Sequence, residues 1–171
     1  MDRRGFLKTT LWGGIVLAGA GTGLALWPSE LKTRPKRALR VADEREFAVL
    51  AAVAARTVVA PNADHAEIAH RVDELIGLQC PEARADFKKL LKLFDNALAG
   101  LIFDGRPRPF TRLSPDGQDA ALVAWRESRH EVRRRSYQVL RKLTQAAYYG
   151  APDGWEPTGY PGPPKLVAPP A

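Results

Sequence analysis

At 171 residues, with 45% hydrophobic and 26% charged side chains, the chain is long enough for one domain of ordinary size with a real core. One cysteine and three histidines exclude a self-contained iron–sulfur cluster, a C-x-x-C-H haem attachment site and a cysteine-rich zinc site. The net charge of +7 is unevenly placed: Arg3, Arg4 and Lys8 against Asp2 carry +2, and Lys32, Arg34, Lys36, Arg37 and Arg40 against Glu30 carry +4, so residues 42–171 hold +1 and offer no nucleic-acid-binding face.

The chain starts Asp2-Arg3-Arg4-Gly5-Phe6-Leu7-Lys8, followed by an apolar run over 11–27 that Gly13, Gly14, Gly19, Gly21 and Gly23 dilute. Adjacent arginines with Phe6, Leu7 and Lys8 at this spacing resemble a twin-arginine export signal; Asp2, where Ser or Thr is usual, is the departure. A general secretory signal or an ordinary membrane anchor would also have a basic start before an apolar run. Proteins sent through the twin-arginine translocase cross the bacterial inner membrane folded, often because they or a partner carry a cofactor, so the reading is periplasmic and inner-membrane associated. The run is about 17 residues, just enough to span. Ala18-Gly19-Ala20 lies inside it and Ala25-Leu26-Trp27 ends in a bulky residue, which favours retention as an anchor over cleavage.

Residues 28–41, rich in Pro and cations, read as an exposed basic linker, with contact to anionic lipid as the alternative to plain solvation. The expected fold is all-α: a small bundle of about five helices over 42–150, behind a signal or anchor helix and ahead of an irregular Pro/Gly-rich tail over 151–171. Phe47, Leu50, Ala51, Ala54 and Val58 recur at helical spacing in 43–59, with Asp43 and Glu44 favouring the start and Ala60-Pro61-Asn62 the stop. Asp64, with Glu67 at the reciprocal capping position, opens a helix striped by Ile68, Val72, Leu75 and Ile76. A third helix over 82–102 would put Phe87, Leu90, Leu91, Phe94, Leu98 and Leu101 on one face.

Asp104-Gly105-Arg106-Pro107 is a turn, Phe110 and Leu113 are core contacts from a loop, and Ser114-Pro115 starts a helix carrying Leu122 and Trp125. The last helix, over 130–149, would turn Val132, Val139, Leu140, Leu143 and Ala147 inward, with Arg134, Arg141 and Gln145 on another side. Cations at Arg126, Arg129, Arg133, Arg134, Arg135, Arg141 and Lys142 form either a solvated face or one that meets an acidic partner.

Catalytic chemistry finds little support. His130-Glu131-Val132-Arg133-Arg134 begins like a zinc metalloprotease motif but has Arg134 where the second histidine is required. No phosphate loop, dinucleotide fingerprint or G-x-S-x-G elbow occurs. His65 and His70 are off the spacing that places two ligands on one helical face, and read as surface or capping residues. The pairs Asp73/Glu74 and Asp116/Asp119 lack an accompanying His or nucleophile. Site residues for catalysis, cofactor or metal are therefore expected to be none. Cys80 is either an inert thiol or the donor of an intermolecular disulfide to a partner.

In the tail, Tyr148-Tyr149-Gly150-Ala151-Pro152, then Trp155, then Gly159-Tyr160-Pro161-Gly162-Pro163, resembles the C-terminal pattern of the gluconate 2-dehydrogenase subunit 3 family, as does the order of a twin-arginine leader, a helix ending near Pro61 and further helices. The resemblance implies a non-catalytic small subunit that escorts a large flavin dehydrogenase of the glucose–methanol–choline type through export and stabilises it. FAD would sit in that partner, and haem c in a cytochrome c subunit that takes the electrons. Tyr148, Tyr149, Trp155 and Tyr160 combine large apolar area with few rotatable bonds, and either pack on this domain or dock a partner. The contrasting reading is a self-sufficient exported helical cofactor-binding protein or enzyme.

Overall fold

The computed structural model describes residues 30–164, so Arg3, Arg4, Phe6, Leu7 and Lys8, expected to form an export signal, the apolar run over 11–27 and the end of the tail lie outside the described residues. Among those described, the fold is all-helical: α1 Glu44–Thr57, α2 His65–Gly77, α3 Pro81–Phe94, α4 Ala97–Asp104, α5 Pro115–Arg126 and α6 Glu131–Tyr149. Short 3-10 turns occupy Phe110–Arg112, Pro152–Gly154 and Glu156–Thr158.

α1 is the axis of the bundle. The Asp43 carboxylate accepts from the backbone N–H groups of Arg45 and Glu46, and the Glu46 carboxylate accepts the Asp43 N–H at 2.9 Å, so two orphan donors of the first turn are satisfied reciprocally. Past that cap the helix is apolar nearly all round, as a central helix must be, and Phe47, Val49, Leu50, Val53 and Ala54 are buried. It packs on α2, α6, α3 and α5. Asp64 caps α2, and Ser114 caps α5 with Pro115 behind it, as the sequence predicts. The Phe94 ring meets Phe110 tilted at 4.6 Å and Trp125 edge-on at 4.7 Å, closing the core between α3, the first 3-10 turn and α5.

Three sequence expectations change. The predicted helix over 82–102 is two helices, broken where the buried Asp95 carboxylate accepts the Thr111 N–H at 2.8 Å and its hydroxyl at 3.0 Å. Asn96 then caps α4 by accepting the Ala99 N–H at 3.0 Å, and Leu101 turns outward. In α6, Leu140 and Ala147 are buried as expected and Leu143 packs half-buried against the core, but Val132 and Val139 face solvent, and Arg133, Tyr137, Thr144 and Tyr148 are buried in their place. The polar members have partners there: the Thr144 hydroxyl reaches the Leu140 carbonyl at 3.0 Å and the Thr57 hydroxyl at 2.8 Å.

The third change concerns the basic segment before α1. Its side chains are largely exposed, yet its backbone is strapped to α2. The Lys36 N–H donates to His70 Nε2 at 3.1 Å, and the N–H groups of Arg40, Val41 and Ala42 all donate to the Asp73 carboxylate, the last at 2.8 Å. Arg37 pairs with Glu67 at 2.6 Å and Glu74 at 3.0 Å, and Lys36 with Asp64 at 2.8 Å. Glu67, expected at the reciprocal capping position, thus serves Arg37 and Arg71. His70, expected in a surface or capping role, is 2% exposed and lies against the Phe47 ring at 4.7 Å.

Candidate interaction surfaces

The four tail aromatics do not form one surface. Tyr148 lies in the core, with its ring 5.0 Å from that of half-exposed Tyr149. Trp155 is half-buried; its indole N–H donates to the Tyr149 carbonyl at 3.0 Å and its ring meets Tyr160 edge-on at 5.7 Å. Gly162, at φ 96°, lies so close under the indole that a Cβ there would sit 2.9 Å from Cζ3. Arg71 of α2 fastens the turn by pairing with Asp153 at 2.9 Å, and its hydrogen bond holds the Asp153 carboxyl below the usual carboxylate range. As far as residue 164 the irregular tail is thus a folded loop that presents Tyr149, Trp155 and Tyr160 beside the end of α6.

A second surface escaped the sequence reading. In α4 only Ala97 is buried, while Leu101, Ile102 and Phe103 are exposed, Ile102 at 67%. The helix is firmly held at its end. Arg133 projects from α6 and pairs with Asp104 at 2.6 Å, its guanidinium 5.2 Å from the Phe103 ring centre and 5.0 Å from that of Trp125. Arg106 joins the same carboxylate, and the His130 ring packs edge-on against Phe103 at 5.4 Å. Gly105, at φ 66°, stops the helix. The signal in the sequence was Leu101-Ile102-Phe103 itself, which a single helix over 82–102 absorbs into its buried face.

The remaining sequence candidates are scattered. Cys80 is exposed at the N-cap of α3 and makes no capping bond there. His65 lies 3.3 Å from the Val58 carbonyl, and His130 begins α6. Asp119 pairs with Arg56 at 2.9 Å in an open groove of about 390 Å³ that Arg126, Tyr137, Arg141 and Gln145 also line. Of the cationic cluster, Arg133 is buried, Arg135 pairs with Glu131 at 2.6 Å, Arg126 with Glu127 at 2.7 Å, and Arg134 donates to the Ser128 and Arg129 carbonyls. A cleft of about 20 Å³ beside α4 has room for little more than one water. Among the described residues no group of three or more His, Cys, Asp and Glu side chains is placed to hold a metal, and no helix is long and apolar enough to cross a membrane.

No curated protein and no solved structure matches the chain. Residues 44–162, from the start of α1 to the glycine under Trp155, match the family described as gluconate 2-dehydrogenase subunit 3. That span is well over half of the 171 residues, and the chain belongs to the gluconate 2-dehydrogenase subunit 3 family.

Proposed function

We propose that this chain is the non-catalytic accessory subunit of a periplasmic, inner-membrane-associated dehydrogenase that oxidises a sugar or alcohol with FAD. Its large subunit, a flavoprotein of the glucose–methanol–choline type, holds the flavin and travels through the twin-arginine translocase on this chain's leader. The observation that carries the reading is the family match over 44–162, which takes in the helices and the tail as far as Gly162. The leader residues Arg3, Arg4, Phe6, Leu7 and Lys8 support export, and the apolar run over 11–27 supports retention at the membrane. Tyr149, Trp155 and Tyr160 supply a docking loop, and a cytochrome c subunit carries electrons onward.

Replacing Arg3 and Arg4 together by Lys tests the escort role, because the translocase reads the paired guanidinium groups. Both this chain and the flavoprotein are expected to remain in the cytoplasm when periplasmic and membrane fractions are assayed for dehydrogenase activity. Normal export of the pair would reject the reading.

A further inference from the structure

α4 carries the longest uninterrupted apolar exposure among the described helices, and Leu101 and Ile102 stay exposed beside Phe103, which His130 and Arg133 pack against. Leu101, Ile102 and Phe103 follow one another at the surface, with exposed Leu93 across the small cleft that Phe103 lines. Contiguous exposed apolar patches on soluble domains mark places where something else binds. This one is also rigid: Asn96 caps the helix start, Gly105 its end, and buried Arg133 clamps Asp104. A face already held in shape loses little further freedom on binding.

Its border is positive. Arg106 and Arg108 line the cleft with Phe103, and exposed Arg129 and Arg134 flank His130, while Asp104 is already shared by Arg106 and Arg133. Phe94, Phe110 and Trp125 also line the cleft, which is nearly filled, so the outer face of α4 stands on packed aromatic rings and offers apolar surface rather than a deep pocket.

We propose that the outer face of α4, Leu101, Ile102 and Phe103 with Leu93 and His130, is where the flavin-carrying subunit docks, and that the docking surface of that partner is apolar with a rim of carboxylates. The proposal rests on the accessory-subunit reading, which supplies the partner; the charge of the border supplies the chemistry of the partner's rim. α4 adjoins the first turn of α6 and the Trp155 loop its last. A helix of 19 residues is about 28 Å long, so the separation of the two along α6 is within the breadth of a standard interface.

The test is the complex itself, recovered from membranes of the native host by a tag on the full chain, with bound flavin measured per small subunit. Ile102→Glu is expected to weaken retention of the flavoprotein about 30-fold, the scale of one hot-spot residue. Val59→Glu, at a site 87% exposed and outside both surfaces, is expected to retain it fully. Ile102→Ser, which introduces no charge, is read alongside, and melting temperatures equal to that of Val59→Glu show that neither variant is misfolded. Undiminished flavin with Ile102→Glu would overturn the docking face while leaving the accessory role intact. Lost binding to phosphatidylglycerol vesicles with full flavin retention would make the face a lipid contact and also overturn it. Absence of flavin from the wild-type preparation would reject the accessory reading and the docking face together.

Discussion

His70 shows how one residue ties the segment before α1 to the bundle. Its Nε2 accepts the Lys36 N–H, which requires a neutral ring, and burial pushes its pKa below the ordinary 6.5, helped by Arg37; Glu67, Asp73 and Glu74 oppose the shift more weakly. A histidine whose folded pKa is depressed contributes stability that is full above its unfolded value and is lost as pH falls from there toward the folded value. The melting temperature is therefore expected to begin falling below about pH 6.5. The carboxyls of Asp64, Glu67 and Asp153, held low by their cationic partners, add their losses only at more acidic pH. His70→Gln offers Lys36 an amide oxygen at every pH; it should flatten the upper part of the acid loss while lowering stability at neutral pH by about 1–3 kcal/mol. An unchanged pH profile in that variant would remove His70 from the account. None of this was visible in the His65/His70 spacing, which could not reveal an acceptor role for a backbone donor 34 residues away.

Helix faces were legible where apolar residues alone decide them, and less so where a buried polar group has a distant partner. Asp43, Asp64 and Ser114 announce their helices because a cap needs only local geometry. The break between α3 and α4 depends on Asp95 meeting Thr111, and the inward turn of Arg133 depends on Asp104, 29 residues before it. With Arg133 inward, the burial of Tyr137, Leu140 and Thr144 follows at helical spacing and Val132 is carried outward. Breaking one side of a buried ion pair typically costs 3–5 kcal/mol; Arg106 remains beside Asp104, so Arg133→Ala is expected to cost about 3 kcal/mol in chemical denaturation. Arg133→Lys should recover only part of that loss, since an ammonium lacks the planar group set between Phe103 and Trp125. A cost below about 1 kcal/mol would mean that the clamp does not hold α4.

At the scale of the molecule, the cation-rich stretch before α1 is fastened to the acidic side of α2 while apolar and aromatic surface collects at the two ends of α6. The family resemblance drew attention to the tail rings, and their chemistry could not separate the one that belongs to the core from those at the surface. Tyr148 is interior, so removing it would damage the bundle and say nothing about docking. Trp155 and Tyr160 instead rest on each other, on the Tyr149 carbonyl and over Gly162, outside the core between the helices. Trp155→Ala with Tyr160→Ala should therefore leave helical circular dichroism unchanged and reduce flavoprotein co-purification about 30-fold, as expected when large rings leave an interface. Loss of helical signal would mean that the loop braces its own domain through Arg71 and Asp153, and full co-purification by a folded double variant would confine docking to other surfaces. The two readouts separate because the core is closed by Tyr137, Ala147 and Tyr148 before the chain reaches the loop.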